Sequence, residues 1–416
     1  GCRSGSEDSD ELRGAGLNWR SVPLETLGEF RNGLNYTTAN DGVGLRILSV
    51  KDFGDRSIPD VDGLSEIDPA GLPLEKALLR ENDLVFVRSN GNKALVGRSM
   101  RIDQNYDNLS FSAFCIRFRV TSSEVDARFL SYYFRSPLFR QTLSSLGQGT
   151  NINNLSQPLM RQLPIPCPEL PIQEQVVTVL STYDDLIENN RRRMVMLEEG
   201  SRQLYREWFV RLRFPGHEHA RIVDRVPEGW RIGTFGSIAI DVRERVAPND
   251  VEGATPYIGL EHIPRRSIAL VSWGRADEVT STKFRFREGD IIFGKIRPYF
   301  HKVGIAFVDG VASSDSIVIR PEAEDLRALL LMTVSSDPFV AVAAQGMREG
   351  SKMPRADWKL MQQYPVAVPP PGLLGSFTET IDNIVHQLKI LTFQNQKLRA
   401  ARDLLLPRLL SGEITV

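Results

Sequence analysis

Two long stretches of the chain space their apolar side chains alternately four and three residues apart. The first ladder runs Val176, Leu180, Tyr183, Ile187, Asn190, Met194, Leu197, Ser201, Leu204 and Trp208. The second runs Phe377, Ile381, Ile384, Leu388, Leu391, Asn395, Leu398, Arg402, Leu405 and Leu409. Eight of ten positions are apolar in each, over more than four heptads, which is the period of helices that pack along a seam. A long helix laid on its own domain also needs an apolar face, so that reading stays open beside the coiled coil. The polar exceptions decide the geometry. Asn190 is fifth in its ladder and Asn395 sixth in its own, so antiparallel helices in register bring the two amides together. A parallel pair would set Asn190 against Leu391. Polar residues in such a seam fix register at a cost in stability, and the antiparallel arrangement is expected.

Ahead of each ladder lies a mixed region with short apolar runs (DLVFV, FCIRFRV, DIIFG, SIVIR) between Gly and Asn turns, the pattern of strands. One helix should follow, opened by a proline near its first turn at Ser136-Pro137 and again at Asp337-Pro338. These regions are copies of one another. RENDLVFVRSNGNKALVG (80–97) and REGDIIFGKIRPYFHKVG (287–304) share a frame: Arg80/Arg287, Glu81/Glu288, Asp83/Asp290, Phe86/Phe293, Val96/Val303 and Gly97/Gly304. Trp19 and Trp230 open the copies at an offset of 211, the shared frame lies at 207, and SPLF/DPFV and LPIPCPELP/YPVAVPPPG lie at 201. Four landmarks in one order mark a tandem duplication whose second copy has lost about ten residues from loops. The predicted layout is a tail (1–17), a first domain (18–168), a first long helix (169–215), a second domain (216–370, with an entry linker at 216–226) and a second long helix (371–416).

Composition narrows the partners. The chain has 416 residues, too many for one core, and a net charge of −1. With charge so balanced, any polyanion must be met by local patches, and the isolated chain should bind one weakly. No apolar run is long enough to span a membrane. Three cysteines, Cys2, Cys115 and Cys167, with no CxxC pair, fit a reducing cytoplasm and argue against structural zinc. The polar first seventeen residues read as a disordered tail or a cloning remnant.

Catalytic motifs are thin. DPF at Asp337–Phe339 lacks the second proline of a base-methylating motif and reads as a helix start. GVG at Gly42–Gly44 is a lone turn-like GxG, and no phosphate-binding GxxxxGK[ST] occurs. The carboxylates of PDVDG (59–63) and the adjacent Glu-Lys of LEKA (74–77) are poorly spaced for a metal nuclease. HEH at His217–His219 lacks a third ligand and reads as exposed loop. Asp83 and Asp290 sit at turns, where aspartate bonds locally. No active site and no metal site are expected.

The middles of the shared frame differ, and they hold side chains suited to nucleic acid. Copy one offers Arg88, Ser89, Asn90, Asn92 and Lys93; copy two offers Lys295, Arg297, Tyr299, His301 and Lys302. Arg and Lys suit guanine or phosphate, and Asn suits adenine. A second variable point sets GQGTNINNLS (147–156) against EGSKMPRADW (349–358), with donors at Thr150, Asn151, Asn153, Ser351, Lys352 and Arg355. Any one of these could be an ordinary polar side chain of a solvated loop. Their variation on a frame kept twice is what singles them out.

Two such domains, each followed by a long helix, resemble the specificity subunits of type I restriction–modification systems. The likeness covers roughly 18–416 and rests on WRxxxLxxLGEF-like sequence from Trp19, GDIIF from Gly289, the Asn-rich passage Gly149–Leu155 and LPIPCPELPIQEQ at Leu163–Gln175. Copy two lacks the EQ, so its helix is expected to start differently or to contact its partner less typically. The resemblance implies an α+β chain: two tandem α/β target-recognition domains joined by an antiparallel coiled coil with pseudo-two-fold internal symmetry. Each domain would read half of a split, asymmetric site in double-stranded DNA. The helices would dock two methyltransferase subunits and, in some systems, nuclease subunits. S-adenosylmethionine, and Mg2+ and ATP where there is a nuclease, would belong to those partners, and this chain would catalyse nothing. An enzyme with an unusual site, or a duplicated coiled-coil adaptor that reads no DNA, are the competing classes.

The ladder also predicts a ruler. From Val176 to Trp208 there are 32 residue steps, about 48 Å at about 1.5 Å each, enough to hold two readers about one DNA turn (~34 Å) apart. Inserting four residues near Gly200 should lengthen the preferred gap between half-sites by about two base pairs and leave both half-sequences unchanged. Selection from duplexes of varied gap measures this; an unchanged gap preference would show that the helices do not set the spacing.

Overall fold

The computed structural model describes residues 19–54, 56–91, 95–146, 154–223, 226–345 and 354–414. The chain divides into two compact units, Gly1–Leu186 with Lys397–Val416, and Ile187–Gln396. Each unit combines one mixed domain with a length of both long helices.

The duplication is explicit in the sheets. In the first unit four antiparallel strands lie in the order Gly28–Asn32, Cys115–Val120, Leu84–Val87, Ser99–Arg101. In the second the order is Ala239–Val242, Ser316–Pro321, Ile291–Gly294, Val303–Ile305. Phe86 faces Ile116 across the ladder and Phe293 faces Ile317. All four residues of each DLVF/DIIF strand are buried, which explains their unbroken apolar run. A second sheet has diverged: three strands in the first unit, five in the second. Gly42–Gly44 lies in the strand Asp41–Leu48, where pairing shifts between Asp41 and Leu45, and so belongs to an irregular strand, not a turn.

The shared frame has a physical reason. In RENDL and REGDI the third residue turns the chain in the left-handed region, Asn82 at φ 66° and Gly289 at φ 88°. Asp83 accepts from the Arg80 N–H at 2.7 Å and Asp290 from the Arg287 N–H at 2.8 Å, the local role expected of them. Each carboxylate also accepts from Nε and Nη2 of an arginine on the neighbouring strand, Arg119 with Asp83 and Arg320 with Asp290, all four bonds at 2.7 Å. This pairing was not legible in the turn motif.

One part of the frame is an echo. Phe86 pairs with Ser99, whereas Phe293 pairs with Val303, so Val303 corresponds to Ser99 and not to Val96. Gly97 turns the chain at φ 79°, while Gly304 lies within its strand, where a Cβ would come 2.6 Å from Leu270. The two Val-Gly pairs match in letters and differ in place.

The proline-opened helices are present, Pro137–Leu146 and Asp337–Gln345, but each is preceded by a buried helix the sequence reading lacked, Ala127–Arg135 and Arg327–Val334. The long helices run Leu170–Tyr205, continuing as a π-helical turn to Val210, and Pro371–Leu410. Among the described residues, no single helix is long and apolar enough to cross a membrane.

The seam is antiparallel. Asn190 Nδ2 donates to Asn395 Oδ1 at 3.0 Å, and Trp208 packs on Phe377 with ring centroids 5.5 Å apart. In the first unit Arg402 reaches Asp184 and Leu409 joins Val176 and Leu180. Every position of both ladders is buried or half-buried. The helices also pack on their domains, as the alternative reading allowed: Phe377, Ile381 and Leu388 share a core with Phe293, Ile317 and Phe339. Both long helices start at equivalent residues, Leu170 and Pro371, so of the two expectations from the missing EQ a different start is not met. What differs is the attachment. Fully buried Gln173 bonds the Asp126 N–H and the carbonyls of Glu124 and Pro168, where copy two has the apolar Leu374.

Replacing Arg320 by Met strands the Asp290 carboxylate, which is 2% exposed as a residue, and should cost about 3–5 kcal/mol. Hydrogen exchange should quicken in Ile291–Gly294 and Ser316–Pro321 while Leu84–Val87 stays protected as an internal control. Equal protection in both copies would show the pair to be dispensable.

Candidate nucleic-acid interface

In each copy the two variable points are stitched together by backbone. Leu155 N–H donates to the Arg88 carbonyl at 2.8 Å, and Ser89 bridges Asn154. In copy two Ala356 N–H donates to the Lys295 carbonyl at 2.8 Å, Arg297 N–H donates to the Pro354 carbonyl at 2.8 Å, and Ile296 bridges Arg355. The bridged pairs are equivalent: Ser89 and Ile296 are related by the offset of the frame, Asn154 and Arg355 by the later one. Segments about sixty residues apart in sequence thus form one composite edge in each domain.

Arg297 is exposed and holds a left-handed backbone at φ 49°, uncommon for a residue with a side chain. Phe300 lies under Arg265, whose guanidinium carbon is 4.1 Å from the ring centre, with Arg297 at 5.9 Å. Tyr299, 51% exposed, meets Phe300 edge-on at 4.9 Å. Arg355 forms an ion pair with Asp315 at 3.2 Å. Cations and aromatic faces therefore share one edge, suited to phosphates and base edges.

Not every sequence candidate faces outward. His301 is buried, with Nε2 2.8 Å from the Ser335 carbonyl and Nδ1 3.3 Å from Asp337. Burial holds its imidazole below the usual histidine range, against the pull of the Ser335 carbonyl and Asp337. Lys302 donates to the Leu260 carbonyl, and burial, then nearby Arg265, lower its ammonium pKa. These two brace the loop. In copy one Arg88, Ser89 and Asn90 are half-buried at the edge. Asn92, Lys93, Thr150, Asn151, Asn153, Ser351 and Lys352 lie outside the described residues.

Sequence reasoning missed Arg265, which comes from a segment with no counterpart in the matched frames, and the turns at Ser112–Cys115 and Ser313–Ser316. Cys115 itself is internal, its thiol pushed up to about 12 by burial. His217–His219 forms a short 3-10 turn, with His217 Nδ1 2.9 Å from the Phe214 carbonyl.

Residues 73–199 match the family model described as the type I restriction modification DNA specificity domain. That span takes in the first shared frame, the Ser112 turn and most of the first long helix. The chain is 22% identical over 314 residues to the MjaIX specificity subunit of Methanocaldococcus jannaschii, covering 70% of each chain. It is 23% identical over 254 residues to the EcoKI specificity subunit of Escherichia coli, covering 57% of this chain and 52% of that one. The crystal structure of a type I S subunit from M. genitalium superposes with a TM-score of 0.53 over 97% of both chains, at 16% identity. By these matches the chain is similar to the specificity subunits of type I restriction–modification systems. The family match covers the later part of copy one and most of its long helix; the likeness to the M. genitalium fold runs through both copies, as the repeated sheets and loop bridges do.

Proposed function

We propose that each domain of this specificity subunit reads one half of a split, asymmetric site in double-stranded DNA through its stitched loop edge. The observation that carries this reading is the pair of equivalent backbone bridges, Ser89 to Asn154 and Ile296 to Arg355, which hold different side chains on one frame. Fixed backbone with varied tips is what two readers of different sequences require. In copy two Lys295, Arg297, Tyr299 and Arg355, with Arg265, meet the DNA; in copy one Arg88, Ser89 and Asn90 do. The chain supplies recognition and no catalysis. It acts in the cytoplasm, docked to two methyltransferase subunits that carry S-adenosylmethionine, and to nuclease subunits with Mg2+ and ATP where the system has them.

The test separates readers from braces. Selection from randomised duplexes by the assembled complex should return a two-part motif. Arg297→Ala should relax one half of it, at a cost on the order of 1–3 kcal/mol for a lost bidentate base contact, and leave the other half intact. Lys302→Ala, which frees the Leu260 carbonyl, should lower yield or affinity without changing either half. If Arg297→Ala weakened all sequences alike, it would touch phosphate or serve the fold, and the reading edge would lie elsewhere.

A further inference from the structure

A third segment enters the edge in both copies, and its tip also differs. The Ser112 carbonyl accepts from the Cys115 N–H at 2.9 Å, and the Ser313 carbonyl from the Ser316 N–H at 3.0 Å, so the same four-residue turn recurs. Its third residue is Phe114 in one copy and Asp315 in the other. The carbonyl of that residue receives the first N–H of the variable loop at 2.8 Å in each, from Arg88 and from Lys295. The turn is pinned from its other side too, since the Ala113 N–H donates to the Leu34 carbonyl at 2.9 Å and Ser313 N–H to that of Ile258 at 2.9 Å. A Cβ on Gly33 would come 2.2 Å from the Ser112 oxygen, so the strand end packs closely against the turn.

The tips have opposite chemistry. Asp315 spends its carboxylate on Arg355, a reader of the same edge. Phe114 is 64% exposed, although an apolar ring on a rigid, polar edge gains nothing from water. The apolar feature that duplex DNA offers such a ring beside its base-edge donors and acceptors is the 5-methyl group of thymine in the major groove. Resting on the reading that the stitched edge contacts DNA, we propose that Phe114 is a specificity-determining residue that contacts a thymine methyl in the half-site read by copy one.

The experiment uses the full chain assembled with its methyltransferase subunits, and a duplex selected from a randomised library. Each thymine of the copy-one half is replaced in turn by deoxyuridine, which removes only the methyl group. At one position the wild-type complex should lose about four-fold in affinity, the worth of one buried methyl-sized group. Phe114→Ala should lower affinity for the thymine duplex, should no longer distinguish thymine from deoxyuridine there, and should leave the copy-two half unchanged. Selection of a two-part motif with no deoxyuridine effect, or a Phe114→Ala complex that still senses the methyl group, overturns the Phe114 assignment alone. No selected motif in either half overturns the DNA reading as well.

Discussion

Two amides set into an apolar seam fix how the long helices run. Asn190 and Asn395 are both buried and satisfy each other at 3.0 Å. Sliding one helix by a heptad would part the amides, setting Asn190 against Arg402 or Leu388 and Asn395 against Leu197 or Tyr183, and an unpaired buried amide costs about 1–3 kcal/mol. The register is therefore set by a penalty on the alternatives more than by a gain in the native state. The docking of the helices in the second unit follows from it. Glu198 accepts from Ser267 at 2.6 Å and from the Ala269 N–H at 3.2 Å, and Arg327 grips Asp382 at 2.7 Å. Burial raises the Glu198 carboxyl pKa against those bonds, so the helix is held by a group that gives up solvation for its place.

Within each domain a second constraint takes over. The Asp83–Arg119 and Asp290–Arg320 pairs lock the turn and two central strands, which fixes where the variable loop departs. The bridges to Asn154 and Arg355 fix where it is met. What is left free is the identity of the side chains along the edge. A domain built this way can vary the side chains of its edge while keeping its fold, because the bridges that hold the edge are made by backbone atoms.

Much of this was written plainly in the sequence. The heptad ladders gave helix, seam and direction because burial in a coiled coil imposes a strict period, and the two asparagines could be satisfied in one arrangement. The strands around Phe86, Phe293, Ile116 and Ile317 were legible as apolar runs between turns. The failures have reasons of the same kind. Helix Arg327–Val334 is buried almost all round, so it shows no polar face to mark it as amphipathic. Val96-Gly97 and Val303-Gly304 agreed in letters, but three extra residues in the copy-one hairpin displaced one pair. His301 and Lys302 carry groups that suit DNA, and sequence cannot show that Ser335 and Leu260 already occupy them. The turn that presents Phe114 is four residues long, and its role depends on hydrogen bonds to a loop 26 positions earlier.

The central claim is that this chain gives a methylating complex a two-part address. Sequencing of modified bases in host DNA, with the gene intact and with it deleted, tests that most directly. The account predicts methylated adenine in a single motif made of two specified halves and an unread gap of fixed length, lost altogether on deletion. An unchanged pattern of methylation, or a lost motif that is continuous and ungapped, would contradict it.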